Sequence, residues 1–175
     1  MKTTRLVATA LFSITRILSL LYLVTAIYVV FIFLFTINTP PAWLPLGISD
    51  GHFEIYFPFT HTPFLLGDYT QSFIAIMILI MFGYGIFLWM LSNIFKTFKQ
   101  EKLFTATGVK RLSVFYGTNF IVPILILIGF FIAKIEISDM LIITCLHFVI
   151  GIFAFFMAAI FKQGLLLQEE QDLTL

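Results

Sequence analysis

Charge is what this sequence has least of. Only 11% of its 175 residues are Asp, Glu, Lys or Arg, against 61% hydrophobic and 18% aromatic. A soluble domain needs roughly 25% charged residues to cover its surface, so a water-soluble globule is excluded and lipid is the expected solvent. Cysteine is nearly absent as well. Cys145 stands alone, which rules out an intrachain disulfide and an intramolecular cysteine-pair redox centre. No Asp, Glu, Lys or Arg lies in the middle of any long apolar stretch, where proton-coupled carriers usually place one; a small multidrug-type carrier is disfavoured. There is no His-Glu-x-x-His pattern, no Gly-x-Ser-x-Gly elbow and no phosphate-binding glycine loop. No catalytic residue and no cofactor is expected, and the chain reads as non-enzymatic.

What is present is four uncharged stretches: Ile17 to Thr36, Ser72 to Phe95, Leu112 to Ala133 and Met140 to Phe161. A helix rises about 1.5 Å per residue, so roughly 20 residues cross a hydrocarbon core of about 30 Å. None of the stretches alternates polar and apolar residues as barrel strands do. The expected fold is an all-α membrane protein, a four-transmembrane-helix bundle, with residues 1–175 forming a single membrane domain. Lys2 and Arg5 before the first stretch imitate a signal peptide, but the run is too long for a signal core. Asn38-Thr39-Pro40-Pro41 follows it in place of a small-residue cleavage site, so it reads as an uncleaved span. Arg16 sits at its inner end, where the side chain can snorkel to the headgroups.

Nine of the ten basic residues lie on one side of the four spans. Lys2, Arg5 and Arg16 precede the first, the 96–111 loop holds Lys96, Lys99, Lys102, Lys110 and Arg111, and the 162–175 tail begins with Lys162. The 37–71 loop has no lysine or arginine, and only Lys134 lies between the third and fourth spans. By the positive-inside rule the basic side is cytoplasmic, with both termini there. Trp43 outside and Trp89 near the inner end of the second span suit the interfaces.

The outer loop, 37–71, carries Pro40, Pro41, Pro45, Pro58 and Pro63 and is long for a structureless connection. From Asp50 to Phe57 the residues alternate, His52, Glu54 and Tyr56 on one face and Phe53, Ile55 and Phe57 on the other. That period predicts a half-buried strand. A second extended piece, His61 to Leu66, would pair with it as a short β-hairpin, making a small extracytoplasmic cap. Asp50, His52 and Glu54 share the polar face, and the hairpin would bring His61 near. Two imidazoles and a carboxylate suit zinc, which makes His52, Glu54 and His61 weak metal candidates; the plainer reading is the wetted face of a strand.

Residues 134–139 alone join the third and fourth spans, so these form a tight antiparallel hairpin, with Ser138 or Asp139 capping the fourth helix. Gly151, Ala154 and Ala158 make a small-residue stripe on that helix, expected to face the first or second span or a second copy of the chain in a homo-oligomer. His147, two turns into the fourth span, is an ionisable group at membrane depth, and one interhelical hydrogen bond would satisfy it. Asn119 in the third span completes the intramembrane polar inventory, but sits nearer the inner leaflet and by depth is not an obvious partner for His147. Pro123 is expected to kink the third span.

The inner loop reads FKTFKQEKLFTATGVKRL from Phe95 to Leu112, and the tail FKQGLLLQEEQDLTL from Phe161 to Leu175. Leu91, Phe95 and Phe98 continue one helical face past the membrane, with Lys96, Lys99 and Lys102 beside it. Such basic groups attract anionic lipid by about 1 kcal/mol each, although topology signalling alone accounts for most of them. Thr105 caps the third helix. Gly164 is expected to break the fourth helix, and Glu169, Glu170 and Asp172 make an acidic end that could pair with the basic loop or engage a separate protein.

At these two stretches the sequence resembles a family of small bacterial membrane proteins, domain-of-unknown-function family 2975. Phe98, Lys99, Phe104, Thr105, Val109, Lys110, Arg111 and Leu112 match the inner-loop pattern. Phe161, Gly164, Leu167, Glu170, Asp172, Leu173 and Thr174 match the tail. Gln100 and Gly108 depart from it, standing where glycine and asparagine are usual, and Leu175 replaces isoleucine. The resemblance implies a bacterial inner-membrane location and no assigned activity. It also implies that the protein is encoded beside a small helix-turn-helix transcription regulator, which would make the cytoplasmic face a docking surface for a cytosolic regulatory protein, without direct contact to nucleic acid. Lys99, Lys110, Arg111, Glu170 and Asp172 are the expected partner or lipid contacts. The competing expectations are a transporter or channel component with His147 and Asn119 on its path, and a membrane enzyme with metal at the outer loop.

Overall fold

A computed structural model describes residues 2–36, 43–132 and 138–173. In chain order these form α1 (Lys2–Phe35), β1 (Leu46–Ser49), β2 (His52–Tyr56), β3 (Pro63–Asp68), α2 (Gln71–Phe98), α3 (Ala106–Ile132) and α4 (Ser138–Leu173). All four helices are long and apolar enough to cross a membrane. Large apolar side chains such as Leu21, Val24, Leu125, Ile142 and Phe153 point outward along them, as the surface of a protein dissolved in lipid must. The chain is an integral membrane protein. The short 133–137 connection, the 37–42 segment and the Asp139 side chain lie outside the described residues, so the turn and the Asp139 cap expected there are not placed.

Two compact units divide the chain. One consists of 14–89, the other of 1–13 with 90–175, so α1 and α2 contribute to both.

In the 14–89 unit residues 46–68 fold as a three-stranded antiparallel sheet, ordered β1-β2-β3. The alternation holds within β2, where Phe53 and Ile55 are buried while His52 is exposed; Phe57, expected on the buried face, lies past the end of the strand and is exposed. Their core is shared with Val29 and Ile32 of α1 and Leu44, and Ile74, Met77, Ile78 and Met81 of α2 pack against it. The Tyr28 hydroxyl donates to the Tyr56 carbonyl at 2.9 Å, fastening β2 to α1. Strand β1 was not expected. Asp50 and Gly51 both take positive φ, 50° and 78°, and Ser49 faces His52 across them. This is the two-residue hairpin for which Asp-Gly is the favoured pair. Asp50 is therefore a turn residue and does not extend the polar face of β2.

In the other unit α3 and α4 form the antiparallel hairpin. Helix α3 continues through Pro123. Gly151 of the small-residue stripe meets α3: an added Cβ would come 2.8 Å from the Phe120 ring. A short connection keeps α3 and α4 neighbours, so the close approach a glycine permits is taken up there first. Gly164 does not break α4, which runs for 36 residues to Leu173. Glycine costs a helix about 1 kcal/mol relative to alanine, and here the missing side chain is what admits Phe104, whose ring an added Cβ would approach to 2.6 Å.

Candidate interaction site at the basic end

The polar and aromatic residues of the 96–111 loop converge in the unit formed by 1–13 and 90–175. Phe161 of α4 is almost completely buried, at 1% exposure. Its ring takes edge contacts from Phe98, at the end of α2, with centroids 5.4 Å apart, and from Phe104 in the loop at 5.3 Å. Phe104 also lies against Gly164, one turn further along α4. On the α3 side, Gly108 leaves room for Thr97 and the Phe161 ring, a Cβ there falling 2.6 Å from Thr97 Cγ2. Three helices and the loop are thus interlocked by aromatic rings seated on glycines.

Hydrogen bonds fix the loop that carries Phe104. The Gly108 backbone N–H donates to Thr105 Oγ1 at 3.1 Å, the expected N-cap of α3. Arg111 donates from its guanidinium to Thr97 Oγ1 at 3.3 Å, and the Thr97 hydroxyl donates to the Asn93 carbonyl at 3.3 Å. Arg111 is therefore turned onto α2. Lys99 lies with its ammonium 4.4 Å from the Phe12 ring centre, a cation–π arrangement. Arg5 faces Glu101 at 3.6 Å. Lys110, Glu170 and Asp172 are exposed.

The α4 extension has two different faces. Phe161, Gly164 and Gln168 follow each other at spacings of three and four, and that side turns toward the loop. Leu166, Glu169, Glu170 and Leu173 occupy the opposite side at the same spacing, with Leu166 50% and Leu173 87% exposed.

The intramembrane polar residues meet, contrary to the depth reckoning that kept them apart. His147 Nδ1 is 2.7 Å from Asn119 Oδ1, and the Asn119 amide nitrogen donates to the Phe115 carbonyl at 2.8 Å. Paired aromatics set the register of the hairpin, Tyr116 with Phe155 and Phe120 with Phe148, and the imidazole reaches across the remaining offset of about one turn. Because the Asn119 nitrogen is committed to Phe115, its oxygen can only accept. The proton on the ring must then be at Nδ1, leaving Nε2 as the acceptor of the neutral imidazole.

The metal candidates of the sheet are not assembled. His52 lies 3.0 Å from Asp68, its neighbour in the β2–β3 register. Glu54 accepts from the Tyr56 hydroxyl at 3.1 Å, and this bond pushes the Tyr56 pKa above its ordinary value. His61 is turned to the Tyr56 ring. Among the described residues no group of three or more His, Cys, Asp or Glu could hold a metal ion. In the 14–89 unit the Arg16 guanidinium is stacked 3.5 Å above the Trp89 ring. Sequence reasoning placed both at the inner interface without pairing them. It likewise missed the ring cluster, although Phe98, Phe104, Phe161 and Gly164 were all in view. Phe161 and Gly164, one turn apart on a helix, were the available signal.

No curated protein and no solved structure matches the chain significantly. A family model described as "Protein of unknown function (DUF2975)" matches residues 63–175, from β3 through all of α2, α3 and α4 and including the aromatic cluster. The chain belongs to the DUF2975 family of proteins of unknown function.

Proposed function

We propose that this protein is a non-enzymatic, multi-pass protein of the bacterial cytoplasmic membrane, with both termini inside, that binds a cytosolic protein through the projecting end of α4. The orientation rests on the basic residues at one side of the four spans. The observation that carries the binding role is the uninterrupted helix past Phe161. A helix of 36 residues is about 54 Å long, well beyond the roughly 30 Å of a hydrocarbon core. Its surplus is held by the Phe104–Gly164 contact and presents Leu166 and Leu173 flanked by Glu169 and Glu170. Residues at i, i+3, i+4 and i+7 on one helical face are what a groove-binding helix offers. The complementary partner has an apolar groove with a basic rim, and Asp172 adds to the acidic end of the helix. A cytosolic regulatory protein fits this role.

The test is stoichiometric co-purification of tagged full-length protein from mild detergent, comparing wild type with Leu166→Asp/Leu173→Asp and Glu169→Lys/Glu170→Lys. One cytosolic protein should accompany the wild type and be lost from both variants, with membrane insertion and thermal stability unchanged. A partner retained by both variants overturns the assignment, as does a wild type that purifies alone.

A further inference from the structure

The loop between β2 and β3 holds an aromatic side chain in a backbone conformation that bulky residues avoid. Phe59 takes φ 64°, in the left-handed region, and its side chain is 106% exposed. The loop around it is well fastened. The Phe57 N–H donates to the Thr62 carbonyl at 3.1 Å, and the Thr60 N–H to the Phe57 carbonyl at 3.0 Å. The Thr62 N–H donates to Thr60 Oγ1 at 3.2 Å, Pro58 has no N–H to satisfy, and the Phe57 ring lies 4.8 Å from that of Phe64. A strained residue whose ring gains no packing from its own chain directs attention to what surrounds it. The 14–89 unit shows where the loop points. Phe53 of β2 meets Phe33 of α1 and Phe73, beside the start of α2, with ring centroids 5.2 and 6.2 Å away. Tyr56 is bonded instead by Tyr28, which lies about 7.5 Å further from the end of α1 than Phe33. Helical side chains lean toward the N-terminus, so Tyr28 leans away from the end of α1 that carries the sheet. Strand β2 therefore descends along α1 toward the spans, and the loop continues past Tyr56.

The depth of that descent follows from the same two helices. The Tyr22 and Tyr84 rings pair across α1 and α2 at 6.4 Å, and six residues from each toward the sheet bring Tyr28 level with Ile78. Ile78 precedes Lys96, the first charge past the apolar run, by 18 residues. That is about 27 Å of helix, against a hydrocarbon core of about 30 Å. The end of β2 thus stands at the lipid boundary remote from Lys96. We propose that the β2–β3 loop is inserted in the bilayer, the Phe59 ring among the acyl chains of the adjoining leaflet and Thr60, His61 and Thr62 at headgroup level. A loop bonded within itself is what this depth requires, since backbone groups find little water there, and aromatic rings concentrate at this interface. Lipid surrounds the loop at this level without any further partner, and an exposed phenyl ring is favoured there and disfavoured in water. The proposal is independent of which side of the membrane carries the sheet and of the binding role of α4.

A nitroxide attached to Phe59→Cys tests it in full-length protein carrying Cys145→Ser, reconstituted in phosphatidylcholine vesicles. Its collisions are measured with oxygen, which concentrates in lipid, and with a water-soluble nickel chelate. Ser49→Cys, exposed at the opposite end of the same sheet, is the reference. The oxygen-to-nickel collision ratio should be several-fold higher at Phe59→Cys than at Ser49→Cys. Equal ratios would put the loop in water and overturn the proposal. Low collision rates with both reagents would mean that a second copy of the chain covers the loop, and would overturn it equally. Phe59→Asn gives an independent reading, because asparagine accepts the left-handed conformation more readily than phenylalanine. A loop in water would be cut by proteinase K no faster after that change. A loop held in the leaflet by its ring should be released and cut several-fold faster in vesicles, with helix content unchanged; an unchanged rate overturns the proposal.

Discussion

At the scale of single residues, the Asn119–His147 hydrogen bond is a polar contact that joins α3 to α4. In lipid neither group can turn to water, yet measured interhelical hydrogen bonds contribute only about 0.6 kcal/mol on average and up to about 1.7. Asn119→Ala removes one bond between helices and one to the Phe115 carbonyl within α3. It should therefore cost more than His147→Ala in an unfolding titration in mixed micelles. The double variant should lose less than the sum of the singles, by about 0.6–1.7 kcal/mol; strict additivity would show that the pair does not couple. Gly164 gives a sharper sign. Helix propensity alone makes Gly164→Ala stabilising by about 1 kcal/mol. A Cβ 2.6 Å from the Phe104 ring opposes this, because the ring is already wedged against Phe161. We expect a lower melting temperature for Gly164→Ala and recovery when Phe104→Ala is added. A stabilised single variant would mean the ring yields at little cost.

Elements are held by their ends as much as by their lengths. The Thr105 cap satisfies a backbone N–H at the start of α3 and also sets the direction of the loop bearing Phe104. Thr105→Ala should cost about 1 kcal/mol, and Thr105→Ser should restore most of it. If the cap also orients Phe104, limited proteolysis should cut the 99–105 loop faster in Thr105→Ala than in an equally destabilised core variant. The elements differ in how far the sequence announced them. Four spans follow from uncharged runs of membrane length, and β2 follows from strict alternation between Phe53 and Ile55 and their polar neighbours. Strand β1 was hidden because Leu46–Ser49 is too short to show a period, although Asp50-Gly51 marked its end. The helical turns outside the uncharged runs, Lys2–Arg16 and Lys162–Leu173, were illegible for another reason. Hydropathy reports where lipid is, not where a helix stops, and a glycine such as Gly164 reads as a break until its neighbour is known. The candidate site suffered most. Its residues were visible as a pattern, but which of them turn inward, as Arg111 does onto Thr97, depends on contacts between distant segments.

For the whole molecule the decisive property is the sorting of charge along the chain. The 37–71 loop has no lysine or arginine, while five lie between Lys96 and Arg111, and it is this bias in short loops that sets orientation. Cysteine labelling with a membrane-impermeant maleimide reads it directly, in a Cys145→Ser background that removes the chain's own thiol. His61→Cys, exposed at the β2–β3 end of the sheet, should react in intact cells. Lys102→Cys should react only after the membrane is opened. The reverse pattern would put the α4 extension outside the cytoplasm and remove the basis for a cytosolic partner. If the lysines and not the sheet are what direct insertion, Lys96→Gln/Lys99→Gln/Lys110→Gln should give a mixed population in which some His61→Cys becomes protected. A uniform outward His61→Cys in that variant would instead assign the control to Lys2, Arg5 and Arg16 of the first span, which is the first to meet the insertion machinery.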